Sequence, residues 1–380
     1  MIPPTYDDFR TRACARLPRI LFDYIEGGAY AEETLRRNVE DLRHLSLRQR
    51  VMRDVSKIDI KCRLFGEQLS MPVALGSVGL AGMYARRGEV QAARAAVNAG
   101  VPFCLSSVSV CSVGEVVAQS SHPVWFQLYM MRDRGFMADV LARARECGCS
   151  VLVFTVDLPT PGVRYREVRS GMAGPATLSR RVATALNAAT RPGWLWDVYA
   201  RGRPHTLGNL ASAVPDARRL ADYWEWVRLN LDPSVTWDDL AWVRSCWPGP
   251  ILIKGILDVR DAREAARAGA DGVVVSNHGG RQLDSARSSI SMLPEIAAAV
   301  GDQLSVLIDG GIRSGLDVVR ALALGAKACL LGRAWAYPLA AGGQPYVAHM
   351  LQRLRHEITT ALMLTGCVSV ADVGPDILNT

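Results

Sequence analysis

The sequence predicts an α/β chain: a closed (β/α)8 barrel with an N-terminal helical segment and a long insertion after the fourth strand. Three observations predict it. Eight short Val/Ile/Leu-rich runs recur along the 380 residues, alanine-rich helical stretches follow most of them, and each run ends in polar residues or glycine. Runs that are apolar throughout suit strands covered on both faces, as in a parallel sheet. No GxGxxG fingerprint follows the first run, which argues against a doubly wound open sheet.

The elements follow in order. Residues 1–70 carry a helix ending near Asp23-Tyr24-Ile25-Glu26-Gly27-Gly28 and irregular links, expected to form a lid over the base or mouth of the barrel. Strands are expected at 72–78, 102–106, 124–129, 151–157, 251–255, 272–277, 305–309 and 328–332. Helical patterns at 88–96 and 258–266 open with acidic residues and stop near Gly100 and Gly269, the signals of a helix start and end. The barrel body is expected in 71–164 and 237–380. Residues 165–236 have no clear strand pattern, and insertions of that length are usually functional or mobile.

Composition sets limits. With 49% hydrophobic and 21% charged residues, a large core forms easily and disorder is not expected. The net charge of +7 suggests some attraction to anionic surfaces, but it is too small and too dispersed to indicate nucleic acid. The nine cysteines have no metal-site spacing, and Cys147-Gly148-Cys149 is too tight for a zinc knuckle. Reduced thiols and no metal are expected. The N-terminus has neither the basic region nor the apolar core of a signal peptide, and no run of 18 apolar residues exists. A cytoplasmic location follows as the expectation.

Barrels of this class carry their chemistry at the C-terminal ends of the strands. The residues there are Ser77-Val78-Gly79, Ser106-Ser107, Gln127 and Tyr129, Thr155 and Asp157, Lys254, Ser276 and His278, Asp309-Gly310-Gly311 and Gly332-Arg333. They define one polar-rimmed pocket. Its most informative stretch is Ser276-Asn277-His278-Gly279-Gly280-Arg281. Histidine offers a base near neutral pH, arginine a bidentate clamp for a carboxylate, and the glycines let a ligand approach. The glycine-rich ends of runs seven and eight, with Arg313 and Arg333, suit a phosphate bound by backbone N–H groups. Lys254, Gln127, Thr155 and Ser106 on neighbouring strands then suit a phosphorylated ring cofactor such as FMN, the lysine stabilising negative charge on the reduced ring. The alternative is a phosphate-binding barrel without redox chemistry. Convergence of His278, Asp157, Arg164 and Arg281 on one face speaks against it.

Motifs along nearly the whole chain carry a family resemblance. They are Phe22-Asp23-Tyr24-Ile25-Glu26-Gly27-Gly28-Ala29, Thr34-Leu35-Arg36-Arg37-Asn38-Val39-Glu40-Asp41-Leu42 and Gly82-Met83-Tyr84-Ala85-Arg86-Arg87-Gly88-Glu89. Trp125-Phe126-Gln127-Leu128-Tyr129, Phe154-Thr155-Val156-Asp157, Ile253-Lys254-Gly255-Ile256-Leu257 and the stretches 276–281 and 309–315 complete the set. The chain resembles the FMN-dependent α-hydroxy acid oxidase/dehydrogenase family, most of all its bacterial respiratory L-lactate dehydrogenase branch. The resemblance implies a TIM barrel, FMN without nicotinamide, and oxidation of an (S)-2-hydroxy acid, L-lactate to pyruvate in that branch. Electrons would pass to a quinone or cytochrome. Oxygen as acceptor, or another hydroxy acid as substrate, is the alternative.

The resemblance also assigns roles. His278 is the base, Asp157 the carboxylate that orients it, and Tyr129 the partner of the substrate hydroxyl or developing carbonyl. Arg281 and Arg164, assisted by Tyr24, bind the substrate carboxylate. Ser77, Val78, Gly79, Ser106, Gln127, Thr155, Lys254 and Ser276 hold the ring and ribityl groups. Asp309, Gly310, Gly311, Arg313, Gly332 and Arg333 hold the phosphate end. Gly79 is similar to the dehydrogenases, since oxidases usually have alanine there. A homo-oligomer, specifically a tetramer, is implied. Two places depart from the family pattern: Gly76-Ser77 stands for the usual Ala-Pro pair, and Cys111-Ser112-Val113-Gly114 for a more acidic, proline-containing helix start.

Between Arg166 and Arg203 the insertion has seven arginines (166, 169, 180, 181, 191, 201 and 203) against Glu167 and Asp197. Trp194, Trp196 and Tyr199 lie among them, and Leu178, Val182, Ala185 and Leu186 precede them at helical spacing. Basic residues, indole rings and an apolar helical face suit an anionic membrane surface. Peripheral attachment to the cytoplasmic face of the inner membrane is therefore expected.

Overall fold

The computed structural model describes residues 2–173, 177–217 and 219–379; positions 174–176 and 218, both within the expected insertion, fall outside the described residues. Eight strands are β1 (Val73–Leu75), β2 (Cys104–Ser106), β3 (Trp125–Tyr129), β4 (Leu152–Thr155), β5 (Ile251–Ile256), β6 (Gly272–Val275), β7 (Ser305–Ile308) and β8 (Ala328–Leu331). From β2 to β8 each pairs in parallel with the next, and β8 pairs with β1. The Leu75 amide donates to Pro102 O, and Leu75 bridges Phe103, which closes the ring. The expected barrel is the observed one. Several strands stop short of the expected ends, because Val78, Asp157, Asn277 and Gly332 leave the ladder for the loops of the mouth.

Side chains alternate along each strand. Val73, Leu75, Phe126, Leu128, Leu152, Phe154, Val273 and Val275 point outward to the helices. Ala74, Cys104, Trp125, Val153, Leu252, Val274, Leu307 and Leu330 fill the barrel. Two apolar faces explain why the strands read apolar throughout. Two residues further on, the interior positions become Ser106, Gln127, Thr155, Lys254, Ser276 and Asp309. The site is thus the last layer of the barrel's own core.

The N-terminal segment covers both ends of the barrel. A hairpin, Cys62–Leu64 with Glu67–Leu69, places Leu64, Phe65 and Leu69 under the base, Phe65 meeting Trp125 edge-on at 5.9 Å. At the other end, helix Arg19–Glu26 carries Tyr24 to the mouth, where it stacks with a residue of the strand-six loop, Arg281.

Among its described residues the insertion contains no strand; its helices are Tyr165–Ser170, Leu178–Ala189, Pro192–Trp194, Leu195–Ala200 and Leu220–Asn230, with a short 3-10 turn at Ala211–Ala213. One interfacial assignment is corrected here. Trp194 is 6% exposed and its indole donates to Met83 O at 2.8 Å, so burial and a satisfied N–H make it an anchor to the barrel. Two of the arginines are likewise tied down, Arg166 to Glu32 at 2.7 Å and Arg191 to Leu17 O at 3.2 Å. Among the described residues no helix is long and apolar enough to cross a membrane.

Candidate active site

The site is built around an unusual turn. After β6, His278, Gly279 and Gly280 all take positive φ, at 58°, 64° and 74°. For histidine that conformation costs on the order of 1–3 kcal/mol and persists only where its surroundings enforce it. A buried amide pair enforces it: Asn38 Nδ2 donates to Asn277 Oδ1, and Asn277 Nδ2 to Asn38 Oδ1, both at 2.8 Å. Asn277 Oδ1 also accepts from Gly280 N, and Ser276 Oγ from His278 N, each at 3.0 Å. Glycine is required at 280, since a Cβ there would lie 2.5 Å from Leu35 N.

The turn presents His278 to two partners. Its Nδ1 lies 2.8 Å from Asp157 Oδ1, and its Nε2 lies 3.4 Å from Tyr129 Oη. Asp157 follows β4 and is admitted by Gly255, at an irregularity of β5, where any Cβ would come within 2.6 Å of it. Burial pushes the His278 pKa down; Asp157 restores part of the shift, Lys254 opposes it, and the net result lies below the usual histidine value. Burial pushes Asp157 up, but the charges of His278 and Lys254 outweigh it, and its carboxyl stays ionised with a lowered pKa. Burial raises Tyr129, which therefore keeps its proton and donates. A neutral imidazole, oriented from behind by a carboxylate, has the chemistry a general base needs near neutral pH.

Arg281 and Arg164 lie beside this base, each about a tenth exposed. Arg281 Nη1 donates to Tyr24 O and Gly27 O at 2.6 and 2.7 Å, and its guanidinium stacks on the Tyr24 ring at 4.8 Å. Arg164 Nε donates to Arg281 O at 3.1 Å. Both guanidinium groups meet one carboxylate, Glu167 Oε1, at 2.9 Å from Arg281 Nη2 and 3.2 Å from Arg164 Nη1. Glu167 fixes the spacing of two like charges that would otherwise repel. The sequence offered it only as one of two acids in a basic insertion, and nothing there marked its role. Trp224 was also missed: it packs on Tyr24 with ring centroids 6.3 Å apart, and its buried Nε1 has no protein partner among the described residues.

Below lies the polar layer. Lys254 Nζ sits 3.0 Å from Ser276 Oγ and 3.1 Å from Asp309 Oδ2. Burial lowers its pKa, but Asp309 and Asp157 more than compensate, and the ammonium stays charged. Ser106 Oγ donates to Gln127 Oε1 at 3.0 Å. Yet Gln127 Nε2, Thr155 Oγ1 and Asp309 Oδ1 are buried without a protein partner. Buried polar groups are almost always paired. Donors and acceptors left over on adjacent strands around a fixed positive charge fit the polar edge of a flavin.

The phosphate end is less uniform. Gly332 is open, with nothing within 4 Å of a notional Cβ. Gly311 is instead demanded by packing, because a Cβ there would fall 2.0 Å from Asn38 O. Arg333 donates to the carbonyls of Ile25, Gly27 and Gly279, stitching the N-terminal segment to the mouth. Arg313 stacks on Tyr6 at 4.3 Å; burial depresses the Arg333 pKa most, and the charges of Arg281 and, less, Arg313 add to it. Ser77, Val78 and Gly79 follow β1, and a Cβ on Gly79 would stand 3.1 Å from Tyr24 Oη.

The fold and site together are those of a barrel enzyme, with a paired histidine and two adjoining arginines above a layer of buried, partly unpartnered polar groups. The FMN-dependent dehydrogenase model matches residues 13–380, and the chain belongs to that family. It is 58% identical over 378 residues to L-lactate dehydrogenase of Caulobacter sp. (strain K31), covering 100% of this chain and 99% of the other. It is 57% identical to the L-lactate dehydrogenase of Xanthomonas campestris pv. campestris (strain 8004), covering 100% and 97%. Among solved structures, the monotopic membrane protein (S)-mandelate dehydrogenase superposes with a TM-score of 0.93 at 35% identity, covering 99% of this chain and 98% of that one. A mandelate oxidase with (S)-2-phenylpropionate superposes with a TM-score of 0.83 at 37% identity, over 99% and 98%. The enzyme class and the FMN requirement expected from the sequence are those of the family.

Proposed function

We propose that this enzyme oxidises L-lactate to pyruvate and passes the electrons to a membrane quinone or a cytochrome. The observation that carries it is the His278–Asp157 pair placed beside Arg281 and Arg164. The two arginines bind the substrate carboxylate, with Tyr24 closing that side. His278 Nε2 removes the hydroxyl proton, and Asp157 stabilises the imidazolium that results. Tyr129 donates to the oxygen as it becomes a carbonyl. Bound FMN, which the Lys254–Gln127–Thr155 layer and Gly332 with its neighbours would hold, would supply the two-electron acceptor that takes the Cα hydrogen with its bond pair as the C–O bond becomes a carbonyl. L-lactate is preferred over other hydroxy acids because relatives of more than half identity carry that name. The test is anaerobic bleaching of the flavin by a panel of (S)-2-hydroxy acids, then reoxidation by quinone or oxygen. Bleaching by (S)-mandelate but not L-lactate overturns the substrate. Reoxidation by oxygen as fast as by quinone overturns the acceptor.

A pH dependence follows from the pair. A base works only when unprotonated, so kcat/KM falls as pH drops through the His278 pKa. Burial holds that pKa below the usual histidine value, which puts the acid limb there too. Asp157→Asn removes the charge that raises it, so the limb moves to still lower pH while kcat falls. A limb that stays in place, or moves up, contradicts the pairing.

Membrane attachment is the second part of the reading. Helix Leu178–Ala189 buries none of its residues; Leu178, Val182 and Leu186 are 77%, 50% and 65% exposed at four-residue spacing. Trp196 is 66% exposed nearby. Each basic residue near an anionic surface contributes about 1 kcal/mol. The protein is expected to sediment with anionic vesicles at low salt and to be released at high salt; equal recovery in the supernatant, or unchanged binding after deletion of 178–200, sinks the idea. The inner membrane's cytoplasmic face is the surface proposed. A homotetramer is proposed as well. Val51, Met52, Leu364 and Val368 are exposed apolar residues of neighbouring segments, a surface suited to subunit contact. A monomeric mass by light scattering removes it.

A further inference from the structure

A second basic site lies outside the catalytic mouth. Arg16, Arg86, Arg87, Arg94, Arg201 and Arg203 line a cleft of about 800 Å³, with Glu115 and Asp197 as its only carboxylates among the described residues. The arginines come from separate parts of the chain: the end of helix Tyr6–Arg16, Arg86 and Arg87 just before helix Gly88–Ala99 with Arg94 inside it, and the segment after Leu195–Ala200. The two carboxylates do not neutralise them. Glu115 is taken up by Arg87, and Asp197 is shared at 3.5 and 3.6 Å between Arg86 and Arg16. Arg201 and Arg203 lie over the Trp196 and Tyr199 rings, at 6.0 and 5.6 Å from the ring centroids. A cation–π contact of that kind uses no N–H donor in a hydrogen bond. Two helices, Gly88–Ala99 and Gln344–Thr365, begin at the cleft; the first has no side-chain cap, whereas Gln344 N of the second donates to Gln91 Oε1 at 2.8 Å. Their positive ends add to the same field.

We infer that this cleft binds a phosphate-bearing anion. Six guanidinium groups against two carboxylates exceed what a monocarboxylate needs, and arginine forks match phosphate oxygens in pairs. Nothing in the catalytic reading uses these residues. Two sources carry the chemistry. One is the headgroup of an anionic phospholipid, whose chains would lie toward exposed Trp196 and Tyr199. The other is a soluble polyphosphate.

The test uses the FMN-loaded full chain and the variant Arg86→Gln/Arg94→Gln/Arg203→Gln. Pyrophosphate and dihexanoyl phosphatidylglycerol, kept below its micelle concentration, are titrated calorimetrically. The wild type is expected to bind at least one of them, the variant at least tenfold more weakly, with lactate-driven flavin bleaching unchanged. Pyrophosphate alone identifies a soluble polyphosphate as the ligand class; the lipid alone identifies the headgroup. Binding of neither probe, or equal binding by the variant, overturns the inference. A Leu178→Ser/Val182→Ser/Leu186→Ser variant separates this site from the membrane reading, because it should lose vesicle binding and keep the cleft's ligand.

Discussion

His278→Ala is expected to retain FMN and to lose turnover by about 10²–10⁴ or more. The flavin-type contacts come from other strands, chiefly Lys254, Gln127, Thr155 and Ser106, and none of these leans on the imidazole. The base, however, has no substitute. Tyr129 is the nearest other proton-bearing group, and burial pushes its pKa up, so it cannot accept the hydroxyl proton near neutral pH. Loss of the side chain also leaves Asp157 a buried carboxylate without its 2.8 Å partner, so Asp157 should take up a proton more readily in the variant. The measurement is anaerobic single-turnover reduction of the flavin by L-lactate, alongside flavin content by absorbance. A near-normal reduction rate at full flavin content would remove His278 from the mechanism.

Arg281→Lys is the second large effect. An ammonium keeps the charge but loses the planar fork, and this guanidinium is used on every side. It donates to Tyr24 O and Gly27 O, pairs with Glu167 Oε1, and stacks on Tyr24. Lysine cannot meet three separated acceptors and a substrate carboxylate together. Hydrogen bonds to charged groups contribute about 1.5–3 kcal/mol each. Loss of one such bond to substrate lowers kcat/KM by roughly one to two decades. The effect should fall mainly on KM, because proton removal by His278 is intact. Unchanged kcat and KM would place the substrate carboxylate elsewhere, and a fall in kcat alone would point to a displaced Tyr24.

Much of this was legible in the chain itself. Each barrel strand changes from apolar to polar at its C-terminal end, and because interior positions recur every second residue, that change marks one layer: Ser106, Gln127, Thr155, Lys254, Ser276 and Asp309. His278 stood out because glycines follow it at a strand end. Glu167, Trp224 and Asn38 did not stand out. Glu167 is one acid in a basic stretch, Trp224 one aromatic in a helix with three, and Asn38 lies 239 residues from the Asn277 it holds. Trp194 went the other way, since its neighbours suggested an exposed ring while the fold buries it.

The sequence alone thus determined the barrel and its polar top layer, because these depend on periodicity along single strands, and it singled out His278 as the candidate base. Tertiary structure alone decided how that base is oriented, which carboxylate holds the arginine pair, and which aromatics of the insertion face outward. Those properties depend on which distant segments share a few ångströms, and the closing of the ring brings them together.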